Sequence, residues 1–163
     1  MPLSITTRAP ITPLSPAQHR VAQQLVEGLS TQEIATRNGL AIETIRQYVR
    51  DIRLCLHLPP RCKPHVLVHF VLAAEQVTPP STEQPAPVLT EKQGLLLRAV
   101  AENSAPRDVA LAAKIAPAEL RTALYELLDT TGARAVTQLV VLSHAWGLLG
   151  ARLAVAVESG AAR

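Results

Sequence analysis

Aromatic side chains are almost missing from this sequence, which has one Phe, one Trp and two Tyr in 163 residues. Any core must therefore be built from Leu, Val, Ile and Ala, a mixture that suits short, closely packed helices. Uninterrupted apolar runs are also missing. The most apolar stretch, Ala135 to Val157, is broken by Gln138, His144, Gly147, Gly150 and Arg152, so no membrane span is expected. Met1 is followed by a polar, proline-containing stretch with no apolar centre, and no secretory leader is predicted. A cytoplasmic chain follows, in which Cys55 and Cys62 stay reduced. No Walker loop, dinucleotide fingerprint, nucleophile elbow or HExxH motif occurs. The expectation is a protein that is not an enzyme and needs no cofactor.

What is present is enough for a folded domain. Hydrophobic residues make up 48% and charged residues 18%, the reverse of the composition that keeps a chain unfolded. The net charge of +3 permits a polyanionic partner without requiring one, and its distribution is more informative. Residues 14–77 carry Arg20, Arg37, Arg46, Arg50, Arg53, Arg61 and Lys63 against five acids, whereas residues 89–150 balance six bases with six acids. The basic excess lies in the first half.

Composition also marks the boundaries. Residues 1–13 lack helical or strand periodicity and read as a flexible arm, in which Arg8 is the one charge. Residues 78–88 contain four prolines and read as an extended, semi-stiff linker between halves of similar size. Residues 151–163 form a tail that either extends the last helix or joins a dimer contact. A shift of 75 positions aligns the halves without a gap: Leu14 with Leu89, Gln18 with Gln93, Glu27 with Glu102, Arg46 with Arg121 and His69 with His144. Apolar positions correspond too, Ile34 with Val109, Ile45 with Leu120 and Ile52 with Leu127 among them. A duplication is the reading adopted.

Within each half the helix signals agree. Ser15-Pro16-Ala17-Gln18 is a capping box with proline in the first turn, and Thr90-Glu91-Lys92-Gln93 repeats it. The first helix is predicted to run to about Glu27, where Gly28 stops it. Ser30-Thr31-Gln32-Glu33 opens a second helix that ends at Asn38-Gly39. A third starts near Ile42 and buries Ile45, Val49, Ile52 and Leu56, one helical face. Pro64 opens a fourth, to about Gln76. The fold expected is all-α: two tandem four-helix helix-turn-helix modules, 14–77 and 89–150, joined by the proline-rich linker.

The stretch LSPAQHRVAQQLVEGLSTQEIATRNGLAIETIRQYVRDIRLCL resembles the LuxR/GerE helix-turn-helix family of bacterial transcription regulators. The matching positions include Leu14, Ser15, Pro16, Val21, Gly28, Leu29, Ser30, Glu33, Ile34, Ala35, Gly39, Leu40, Thr44, Ile45, Arg46, Val49, Ile52 and Leu56, with Arg61 before the last helix. The resemblance implies that residues 43–55 are a recognition helix lying in the major groove of double-stranded DNA. Its outward residues would then be Thr44, Arg46, Gln47, Arg50 and Arg53. Arg46 and Gln47 have the chemistry to read guanine and adenine edges. Arg50, Arg53, Arg61, Tyr48 and Thr31 suit phosphates. Three residues depart from the pattern: Gln18 for glutamate, His57 for glycine, and Ala41 for the serine that caps the recognition helix, at ~1 kcal/mol.

The second half departs further, with Asn103, Ala105 and Asp108 in place of Gly28, Ser30 and Glu33. Its counterpart helix, 117–129, sets Arg121 against Glu119, Glu126 and Asp129, and acids repel phosphate. A scaffold or partner-binding role is expected for it. Family members are expected to dimerise through the last helix, which here carries Val66 and Phe70 in one half and Leu139, Leu142 and Trp146 in the other. These surfaces either pair within one chain as a pseudo-dimer or between chains as a homodimer. Cys55, His57, Cys62 and His65 have zinc-ligand chemistry but the spacing of no common zinc module, so no metal is expected. His69 and His144 are read as interface histidines.

The reading at this point is a stand-alone, nucleoid-associated regulator, since the two halves leave no room for a receiver or ligand-sensing domain. The alternative is a protein-interaction module that binds a sigma factor, RNA polymerase or another regulator.

Overall fold

Residues 12–149 are described by a computed structural model. Arg8, the rest of the arm as far as residue 11, and the tail 151–163 lie outside the described residues. Among the described residues there are eight α-helices and no strand. They are α1 Pro16–Val26, α2 Thr31–Asn38, α3 Ile42–Cys55, α4 Pro64–Ala73, α5 Glu91–Glu102, α6 Pro106–Ala113, α7 Leu120–Thr131 and α8 Val136–Ala145. A single 3-10 turn, Pro117–Glu119, leads into α7.

The starts of α1, α2 and α5 follow from their capping boxes. In α1 the Ser15 hydroxyl accepts from the Gln18 amide and the Gln18 side chain accepts from the Ser15 amide, at 3.2 and 3.0 Å. Ser30 with Glu33 and Thr90 with Gln93 close the same pair of bonds. Two otherwise orphaned amides are satisfied at each end. α2 stops at Gly39, whose φ of 66° is left-handed. α4 ends at Ala73, three residues before the expected Gln76, because Glu75 turns left-handed at φ 58°.

Below α5 the same local structures form with poorer chemistry. α6 starts at Ala105 with no side-chain cap. Lys114 takes the left-handed turn at φ 60°, where α2 has glycine, a strain of ~1–2 kcal/mol for a side chain with a Cβ. The gapless register ends at the next loop. Counted from the left-handed residues His57 and Gly132, six residues (58–63) lead to α4 but only three (133–135) lead to α8. The caps Lys63 and Ala135 therefore stand 72 positions apart, not 75. His69 and His144 are not at the same turn of their helices.

Buried residues of both sequence halves form one continuous core. Ile34, Ile45, Ile52, Leu127, Leu139 and Val140 are fully enclosed. α4 packs against α1, α5 and, most extensively, α8. The backbone amide of Lys63 donates to the Ser104 hydroxyl at 3.0 Å, fastening the start of α4 to the loop after α5. Of the residues read as dimer contacts, Val66 and Leu139 are buried, and Phe70, Leu142 and Trp146 are half-buried. The proline-rich segment lies along this core. Its Thr78 carbonyl accepts from the Gln23 side chain at 3.2 Å, and its Gln84 carbonyl accepts from the Trp146 indole N–H at 2.9 Å.

Inside the α4–α8 contact, His69 Nδ1 and His144 Nε2 share a hydrogen bond at 2.9 Å. The Phe70 ring stands edge-on to His69, with centroids 4.8 Å apart. Burial lowers the pKa of both imidazoles from 6.5 to about 4; the His65 charge adds to this at His69, and the His69 charge at His144. Each ring therefore binds its proton less readily when folded than when unfolded. Unfolding takes up protons as the pH falls below 6.5, so stability is whole above that value and is lost toward pH 4. We expect the melting temperature to be flat near neutrality and to fall below pH 6.5. The slope should be up to about 1.4 kcal/mol per pH unit for each proton taken up. His144→Gln should flatten that fall, as measured by calorimetry across the range.

Candidate nucleic-acid interface

The helix read as a DNA reader is built by a simple division of faces. Along α3, Ile45, Val49 and Ile52 recur at three- and four-residue spacing and are buried at 0%, 8% and 0% exposure. α3 packs on α1 and α2 through this side. The residues between them are pushed outward: Glu43, Arg46, Gln47 and Arg50 are exposed, and Thr44 and Tyr48 half-buried. The Gly39 turn fixes the angle at which α3 leaves α2.

The outward polar side chains are paired with one another. Arg46 Nη1 meets Glu43 Oε2 at 2.6 Å, with 51% and 72% of the side chains exposed. Arg50 Nη2 donates to Gln47 Oε1 at 2.7 Å, and Gln47 Nε2 donates to Asp51 Oδ1 at 2.9 Å. Contacts this exposed contribute between nothing and about 1 kcal/mol. They hold the side chains along the helix yet exchange readily for a stronger acceptor, such as phosphate or a base edge.

Arg53 differs from its neighbours. It is half-buried, and its Nη2 donates to the Cys62 carbonyl at 3.1 Å, while Nε is buried without a hydrogen-bond partner. It braces the end of α3 against the loop that enters α4, and is thereby withdrawn from the outward set in which the sequence placed it. Arg61, in the same loop, is exposed. Thr31 opens α2 and is half-buried. The capping box uses the amides of Ser30 and Glu33, and those of Thr31 and Gln32 are first-turn donors the box does not take. Glu33 stands in the same turn. Its carboxyl is held below the usual range, first by the backbone amide of Ser30, then by the Ser30 hydroxyl and by Arg37.

α7 and the turn before it carry Arg121 with Glu119, Glu126 and Asp129, all exposed. Among the described residues no group of three or more His, Cys, Asp and Glu could hold a metal ion. Cys62 is buried and Cys55 half-buried, its thiol 3.9 Å from the Gln18 side-chain oxygen. No helix among the described residues is long and apolar enough to cross a membrane. No protein-family model, curated protein or solved structure matches this chain.

Two features escaped the sequence. The Arg53 brace depends on a loop conformation that periodicity does not reveal. The His69–His144 bond needs α4 and α8 to meet, although the two apolar helices were a signal for that meeting. A third feature was legible: Ala41 caps α3 with extended backbone, φ −70° and ψ 148°, and supplies no side-chain acceptor. Replacing Ala41 with Ser should therefore stabilise the chain by about 0.5–1 kcal/mol, measured as a rise in the urea midpoint at unchanged slope.

Proposed function

We propose that this protein is a DNA-binding transcription regulator of the LuxR helix-turn-helix type, with α3 as the helix that enters the major groove. The observation that carries the reading is the divided α3. One face is locked into the core by Ile45, Val49 and Ile52, and the other offers Arg46, Gln47 and Arg50 to solvent. In this reading Arg46 and Gln47 contact base edges. Arg50, Arg61, Tyr48 and the start of α2 at Thr31 contact phosphates, and Thr44 flanks them. Arg53 positions the loop that carries Arg61.

The helices α5 to α8 are then a second, degenerate copy of the module. Three recurrences support that: the capping box at Thr90, the left-handed turn at Lys114 and the left-handed residue Gly132, each 75 positions after Ser15, Gly39 and His57. The acidic α7 surface makes this copy a poor phosphate ligand. Its α8 covers α4, the helix through which the resemblance implies dimerisation, so the chain is a self-contained pseudo-dimer in the cytoplasm, associated with the nucleoid.

The reading is tested by mixing purified protein with sheared genomic DNA at about 150 mM salt, where weak non-specific binding is suppressed, and sequencing what is retained. A discrete motif should be enriched. Arg46→Ala with Arg50→Ala should weaken its binding by about a hundredfold or more, given ~1–3 kcal/mol per good contact, whereas Arg121→Ala should change it less than twofold. No enrichment, or retention indifferent to the double substitution, would refute DNA reading. The α3 face would then be assigned to a sigma factor or polymerase.

A further inference from the structure

α4 meets the second half of the chain at two junctions, and they are filled differently. At the first, toward α5, His65 is half-buried against the backbone of Val100 and Asn103, and Lys63 is bonded to Ser104. In the duplication proposed above, the equivalent contact would set Thr137 of α8 against Leu25 and Gly28 at the end of α1. Threonine is smaller than histidine, and glycine than asparagine, and at this second junction there is a cavity of about 680 Å³. Leu25, Val68, Val141 and Leu142 supply its apolar surface, while Thr82, Gln84, Thr137 and Gln138 supply polar groups. The linker closes one side, held by the bonds from Gln23 to Thr78 and from Trp146 to Gln84.

We propose that this cavity is a binding site for a small, mainly apolar, non-anionic molecule with a hydrogen-bonding group at one end. The volume lies within the ~300–1,000 Å³ usual for small-molecule sites, and such sites favour the junction of two packed units. α1, α4, α8 and the linker each contribute to its lining. The charge of the lining selects the ligand class. Glu27 is the one charged residue among those that line it, and no Lys, Arg or His does, so an anion finds no counter-charge. The wall Leu25–Leu29 runs directly into the Ser30 cap of α2, so occupancy bears on the placement of the helix pair. That consequence rests on the DNA reading, whereas the site itself does not.

Trp146, the sole tryptophan, donates its indole N–H to Gln84 at the rim and makes occupancy measurable. The full chain, without DNA, is titrated with the neutral fluorophore 1-aminoanthracene, following energy transfer from Trp146. Saturation at one site per chain with a micromolar Kd is expected, and the anionic 1-anilinonaphthalene-8-sulfonate should bind at least tenfold more weakly. Thr137→Phe should weaken aminoanthracene binding at least tenfold. Thr82→Phe should do the same from the linker, where no helix is at stake. Ala123→Phe, in a separate groove between α5 and α7, should leave it within twofold. Non-saturable binding, equal affinity for the sulfonate, or retention of full affinity in Thr82→Phe with unchanged melting would overturn the proposal. Because no DNA is present, this result and the DNA selection succeed or fail independently.

Discussion

His69 and His144 share a 2.9 Å hydrogen bond inside an apolar contact between α4 and α8, and the arrangement of the whole chain follows from that contact. α4 also packs on α1 and α5, so one ten-residue helix touches elements from both ends of the sequence. With a mean composition more apolar than any other helix here, α4 has little choice: four successive residues, Val66 to His69, are all buried. A helix that is apolar on every side must be covered on every side. The chain does so with its own later helices, and the imidazoles of buried His69 and half-buried His144 satisfy each other within that contact.

Covering α4 leaves α3 free to divide its faces, and this is the link between packing and the proposed function. The core takes Ile45, Val49 and Ile52 at nearly complete burial. Their periodicity forces Arg46, Gln47 and Arg50 outward, whatever those residues are used for. DNA reading adds a purpose to an exposure that packing already requires. α7 obeys the same constraint, burying Leu120 and Leu127 and exposing Arg121, Glu126 and Asp129. The charge these faces carry is what separates the proposed reader from the proposed scaffold.

Helix starts were legible because they rest on short-range chemistry. Ser15, Ser30 and Thr90 each stand three residues before a side chain able to return the bond, and all three boxes form. The buried face of α3 was legible from periodicity for the same reason. The end of α4 was not, since Glu75 adopts a left-handed turn without the glycine or asparagine that marks one. The gapless alignment of the halves concealed a loop three residues shorter before α8, since apolar residues crowd both helices and match in either register. Helical spacing gives the direction of Arg53 but not the Cys62 carbonyl beside it. The α4–α8 contact was legible as two apolar helices in need of partners. Whether the partner lay in the same chain was left open, because intramolecular and intermolecular pairing bury the same residues.

Light scattering of the purified protein at micromolar concentration addresses that question most directly. If α8 of the same chain covers α4, the particle has the 17.5 kDa mass of one chain and keeps it on dilution. A stable species of twice that mass, dissociating only when Val66 or Leu139 is replaced, would show that the contact joins two chains and would contradict the account.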